Sequence, residues 1–137
     1  MRIQTRFTRD YGVDYPLALA GMAFVGTSPD LAIAVCKAGG VGSLAVGPLP
    51  AEVVRGLIRA VRVATDRPLN VNFITFLANE QQIQVCIEEA IPIVSFHWGH
   101  PSKDSINRLH AAGTLTGGSA EPSCADDCPC SGPRQRW

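Results

Sequence analysis

The stretch CKAGGVGSLAV, Cys36 to Val46, contains Gly40-Val41-Gly42-Ser43-Leu44-Ala45. That spacing fits the G-x-G-x-x-G/A fingerprint of a dinucleotide-binding turn. In such a turn a strand ends at the glycines and a helix N-terminus faces the phosphate. Here the flanks run in the opposite order. Upstream, TSPDLAIAVCKAGG (Thr27–Gly40) carries the signals of a helix. Thr27 or Ser28 caps it, Pro29 suits its first turn, and Asp30 favours its positive end. Leu31, Val35 and Ala38 recur at helical spacing. Gly39 and Gly40 fall where a left-handed C-cap stops a helix. Downstream, VGSLAV reads as a strand. Helix, glycines, strand is the wrong order for a phosphate cradle. The glycines therefore end the helix, and Gly42 lets the strand pass close to its neighbours.

The same unit repeats on either side. YPLALAGM (Tyr15–Met22) is apolar, ends near a glycine and reads as a buried strand. Pro50 opens a helix over Ala51–Ala64, with Val54, Leu57, Ile58 and Val61 on one face. PLNVNF (Pro68–Phe73) is a third strand, followed by a helix over Asn79–Ala90 with Ile83, Cys86 and Ile87 inward. IPIVSFHW (Ile91–Trp98) is a fourth strand. Ser102 caps a last helix carrying Ile106 and Leu109, and Gly113 ends it. Strands buried on both faces and joined by helices predict a parallel sheet. Two architectures satisfy the pattern: an open doubly wound sheet and part of a (β/α)8 barrel. A whole barrel takes about 250 residues, so these units amount to half of one.

The totals agree with a folded α/β domain. The chain has 137 residues, 46% hydrophobic and 18% charged, enough to bury a core. Lys+Arg and Asp+Glu are both 12, which argues against nucleic acid or an anionic membrane as partner. No apolar run reaches the length of a membrane span, and no secretory h-region follows the first arginines. Cys36 and Cys86 stand singly in helical patterns, which suits reduced core thiols and a cytoplasmic location.

After RLHAAG the pattern stops at Gly113. The remainder, residues 114–137, has one Leu and no Ile, Val or Phe, and holds three of the five Cys. Such a segment buries too little apolar area to pack on the rest and reads as an irregular, disordered tail. Cys124, Cys128 and Cys130 form C-x3-C-x-C, which matches no paired zinc spacing and has no His nearby, so no metal is expected.

Four blocks carry a family resemblance: IQTRFTRDYGVDYPLALAGM (Ile3–Met22), TSPDLAIAVCKAGGVGSLAVG (Thr27–Gly47), TDRPLNVNF (Thr65–Phe73) and IPIVSFHWGHP (Ile91–Pro101). Over roughly residues 3–113 the chain resembles the N-terminal half of the nitronate monooxygenases, formerly called 2-nitropropane dioxygenases. The resemblance implies a (β/α)8 TIM barrel, truncated here to about four βα units, that binds FMN. It implies oxidation of alkyl nitronates such as propionate 3-nitronate with O2. A related branch holds flavin-dependent enoyl-thioester reductases.

The resemblance also implies site residues. Ala20, Gly21 and Met22 end the first strand, where family members bring backbone and Met to the flavin; Gly21 stands where most relatives have Pro. Asn72 ends the third strand, and the matching family Asn bonds the flavin. An amide there can donate to a ring carbonyl or accept from a ring N–H. His97, just after the fourth strand, is a weaker candidate for contact with substrate or flavin. His100 and His110 fit a solvated surface better. The family's catalytic His lies in a later Gly-Gly-His block that this sequence lacks, as it lacks the late strands that hold the phosphate. A truncated, impaired enzyme is therefore expected, with an inactive fragment as the reading from a different class. Strand edges that no neighbour covers would favour self-association.

Overall fold

The computed structural model describes residues 3–22 and 28–118. Four parallel strands lie side by side in chain order: β1 (Gly42–Ala45), β2 (Leu69–Ile74), β3 (Ile93–His97) and β4 (Leu115–Gly118). Five α-helices accompany them: α1 (Arg6–Tyr11), α2 (Pro29–Lys37), α3 (Ala51–Ala64), α4 (Glu80–Glu88) and α5 (Lys103–Ala111). A single 3₁₀ turn, Thr75–Leu77, links β2 to α4.

The period of two along the strands sorts the side chains. In β2, Leu69, Val71 and Phe73 join Leu44, Val46, Val94 and Phe96 in a core roofed by Val54, Ile58, Val61, Ile83, Cys86, Ile106 and Leu109 of the helices. Phe73 and Phe96 stack there with ring centroids 5.5 Å apart. The other parity turns to the opposite face. At the N-terminal strand ends of that face, Val41 and Ile93 pack on Tyr11 and Val13. Strand order without reversal, with the crossover helices contributing to one core on one face, is the arc of a barrel. A doubly wound sheet reverses order and covers both faces. The fold is the TIM-barrel type, seen here as a four-stranded portion.

Three helices stop by one device. Gly40 N–H donates to Val35 O at 3.1 Å and Gly39 N–H to Cys36 O at 3.0 Å, with Gly39 at φ +95°. This pair of bonds is the Schellman C-cap. It recurs after α5, where Thr114 and Gly113 donate to Leu109 and His110 with Gly113 at φ +85°. It recurs after α4, where Ile91 and Ala90 donate to Cys86 and Ile87. Ala90 takes the left-handed position there at φ +49°. The helix starts match the sequence as well. Ser28 caps α2, Ser102 caps α5, and Asn79 forms a capping box with Gln82 at α4. Thr27 lies outside the described residues. Salt bridges clamp the outer helices together. Arg55 reaches Glu88 at 2.7 Å and Glu89 at 3.0 Å, while Arg108 reaches Glu80 at 2.6 Å.

Three expectations need correction. The buried residues of α2 are Ala32 and Cys36, whereas Leu31 is exposed and Val35 half-buried. The cause is Gly42: a Cβ there would run into Ala32 O and Cys36 Sγ, so β1 approaches the helix face that carries the smallest side chains. Tyr15–Met22 is not a buried strand. Only Ala18 forms a bridge, with Val41, flanked by Val41 N–H to Leu17 O and Leu19 N–H to Val41 O, both 2.9 Å. The segment has a neighbour on one side among the described residues, and Leu17 is 64% exposed. Finally, the pattern does not stop at Gly113. Leu115–Gly118 is β4, paired with β3 from Ile93↔Leu115 to Phe96↔Gly118. Its sequence, LTGG, holds through the backbone and through Thr114 Oγ1, which donates to Ile91 O at 2.9 Å. Residues 119–137, with Cys124, Cys128 and Cys130, lie outside the described residues. No described helix is long and apolar enough to cross a membrane.

Candidate functional site

The second parity of the strands builds a cavity of about 570 Å³ that runs from Val41 and Asn70 to the C-terminal strand ends at Ile74, His97 and Gly118. That size is within the range of small-molecule sites, roughly 300–1,000 Å³. One wall is the passage Ala18–Leu19–Ala20–Gly21; the floor and far wall are Val41, Asn70, Asn72, Ile74, Ser95, His97, Trp98 and Gly118. Active sites of this fold sit at this end of the strands, where the loops diverge.

Asn72 sits fourth in β2 and is 4% exposed. Its Oδ1 accepts from Ser95 Oγ at 2.9 Å. Asn70, two residues earlier on the same face, donates from Nδ2 to Ser43 Oγ and to Ser95 Oγ, both at 2.9 Å. These four buried polar residues form one hydrogen-bonded layer across β1, β2 and β3. Asn70 Oδ1 is buried without a partner among the described residues. Gly21 closes over Asn72: a Cβ at position 21 would overlap Asn72 Cγ and Nδ2.

The expected site residues thus divide. Ala20, Gly21 and Asn72 meet on the cavity. Met22 follows Gly21 and is half-buried but does not line it. His97 ends β3 and does line it, and Thr75 Oγ1 donates to its backbone oxygen at 3.0 Å. His100 is exposed. His110 Nε2 lies 2.7 Å from Thr116 Oγ1, tying α5 to β4, which is a structural task. Trp98 was not expected here. It is at φ +58°, a strained position for a bulky residue, and is 66% exposed at the mouth. It stacks on Phe76 with centroids 6.5 Å apart. Asn70, Ser95 and Ser43 also went unsingled, although polar residues of one parity in apolar strands are a visible sign.

The chemistry of the wall fits a flat heteroaromatic group such as a flavin ring. Backbone without side-chain bulk forms one side, and an amide and a hydroxyl layer forms the other. Gly21 is where the two sides touch: a Cβ there would overlap the Asn72 amide itself. No Lys, Arg, Asp or Glu is among the described lining residues, so His97 is their titratable member.

Comparison with known proteins follows the same lines. The nitronate monooxygenase family model matches residues 4–81. A nitronate monooxygenase of Paraburkholderia phytofirmans is 36% identical, covering 74% of this chain and 38% of its own length. FabK from Thermotoga maritima superposes with a TM-score of 0.80 at 35% identity, over 90% of this chain and 40% of that one. A nitroalkane oxidase from Streptomyces ansochromogenes superposes with a TM-score of 0.74 at 29% identity, over 85% of this chain and 42% of that one. The chain therefore spans about two fifths of the length of these relatives.

Proposed function

The chain belongs to the nitronate monooxygenase family, and from that premise we propose that it carries the ring-facing wall of an FMN site for oxidising alkyl nitronates with O2. The observation that carries this is the meeting of the Ala20–Gly21 backbone with the Asn72 amide on one cavity. Bound flavin would supply the redox chemistry. The chain's own residues supply position. Gly21, bare of a Cβ, lets the backbone lie against the Asn72 amide, Asn72 hydrogen-bonds the ring, and Ile74 and Trp98 keep water from one flank. His97 is placed to hydrogen-bond a small anionic substrate at the mouth. A cytoplasmic location agrees with Cys36 and Cys86 being free and buried.

No Lys or Arg is among the described lining residues, so on this wall cofactor binding is expected to rest on the ring, with His97 the group that meets the nitronate and turnover impaired. The test is titration of the purified chain with FMN and with riboflavin, followed by oxygen uptake with propionate 3-nitronate. The expected result is that both flavins bind within about threefold of each other, which is under 1 kcal/mol. Oxygen uptake should be at least tenfold below a full-length relative, about 1.4 kcal/mol in barrier. No binding of either flavin would sink the cofactor site.

A second reading is reduction of an enoyl thioester. The exposed Phe76–Trp98 stack favours it, because it continues the apolar wall outward, where a longer acyl chain would lie. NAD(P)H consumption with crotonyl thioester, absent with nitronate, would decide for it.

A further inference from the structure

We infer that Asn70 and Ser95 are positioning residues that hold the Asn72 amide with its Nδ2 toward the cavity, so that the site selects a hydrogen-bond acceptor on its ligand at that point. The inference rests on the cavity being a ligand site, as read above, and concerns the direction in which one side chain is set.

The Asn70 amide nitrogen carries two hydrogens, and both are used, on Ser43 Oγ and Ser95 Oγ at 2.9 Å each. Ser95 carries one hydroxyl hydrogen. Its oxygen already accepts from Asn70, and its hydrogen goes to Asn72 Oδ1 at 2.9 Å. Asn72 and Ser95 are direct partners in the β2–β3 register, so the contact is set by the sheet itself. Asn72 Oδ1 keeps one lone pair beyond the bond from Ser95, whereas both hydrogens of Nδ2, which lies against Gly21, remain to be offered among the described residues.

Turning the Asn70 amide over would reverse the chain. Its oxygen would then accept from both hydroxyls and consume the hydrogen of Ser95. Asn72 would have to turn and donate to Ser95, leaving its oxygen to the cavity. Turning the Asn70 amide would also take Nδ2 off both hydroxyls and into the buried place where Oδ1 now stands without a partner among the described residues, giving up two met donors. The observed direction keeps both, and through Ser95 it sets the polarity of Asn72. A carbonyl or an unprotonated ring nitrogen is favoured at this point over an N–H.

Two measurements test this. The first needs no ligand: hydrogen exchange of the side-chain amides in ¹⁵N-labelled protein. The Asn70 Nδ2 protons, both held, should exchange at least tenfold more slowly than those of Asn72. Equal or reversed rates overturn the inference. The second is titration with riboflavin. Ser95→Ala should weaken binding about tenfold. Ser43→Ala, which removes the arm that does not lead to Asn72, should weaken it less than threefold. Equal losses, or none in Ser95→Ala, overturn the inference. If the parent chain binds no riboflavin while the exchange order is as expected, the flavin reading fails and the positioning chain stands.

Discussion

The Cα of Gly21 lies against the side-chain amide of Asn72, so close that a Cβ on residue 21 would overlap Asn72 Cγ and Nδ2. The two residues come from different parts of the chain, Gly21 from the passage before α2 and Asn72 from β2. Their contact joins the cavity wall to its floor.

Gly21→Ala should therefore act on the site more than on the fold. The Asn72 amide is the end of a side chain and can swing away, so the overlap is relieved by losing its bond from Ser95. We expect the melting temperature to change by no more than about 4 °C, the shift of roughly 1 kcal/mol in a small domain. Riboflavin affinity should fall about tenfold, or 1.4 kcal/mol. A fluorescence titration and a thermal melt decide it. Unchanged affinity would mean that Asn72 does not meet the ligand.

Gly42→Ala should do the reverse. The atoms in the way are Ala32 O, which is helix backbone, and Cys36 Sγ, which is fully buried. Neither can leave without moving α2 from β1. Overpacking of this kind costs about 1–3 kcal/mol. Urea unfolding should show a lowered midpoint with an unchanged slope. A variant as stable as the parent would show that the helix shifts freely over the strand.

These two glycines show what the sequence made legible. The reversed order around Gly39–Gly42 pointed to a helix stop and a close strand, and the Schellman bonds and the Gly42 contact agree. Largely apolar runs, with Ser43, Asn70, Asn72 and Ser95 on one parity, could be read as strands because both faces of β1 to β3 are buried. Leu115–Gly118 could not, since its glycines offer no side-chain pattern and its pairing is backbone to backbone. Tyr15–Met22 misled for the opposite reason: it is apolar, yet only one described strand lies beside it. At the site, Asn72 was visible through family resemblance. Asn70, Ser43 and Ser95 matter only through register, which brings Ser43 level with Asn70 and Ser95 level with Asn72.

Ala90 offers a gain in stability. It occupies the left-handed C-cap of α4 at φ +49°, the position that Gly39 and Gly113 fill in the other two helices. A side chain there costs about 1–2 kcal/mol, against roughly 0.5–1 kcal/mol for the extra freedom of glycine when unfolded. Ala90→Gly should thus stabilise the chain by about 0.5–1 kcal/mol, seen as a raised urea midpoint. A lowered midpoint would mean that the Ala90 methyl group has packing partners worth more than its strain.

Cys86 is fully buried in the core between α4 and the sheet, and burial pushes its thiol from 9.0 up to about 12. Burial raises Cys36 as well, opposed by its backbone contact at Gly42 and by Arg62 and Arg67. The folded chain therefore holds the Cys86 proton more tightly than the unfolded chain does. Its contribution is complete below about pH 9, where neither state is ionised, and is lost as the pH climbs toward 12. Over that window one such group lowers stability by at most about 1.4 kcal/mol per pH unit. Urea unfolding from pH 7 to 10.5 should show a decline that steepens above 9. In Cys86→Ala the whole curve should start lower, because a buried sulfur is gone, but its decline above pH 9 should be shallower. Parallel declines in the two proteins would mean that the Cys86 thiol ionises without unfolding the core around it.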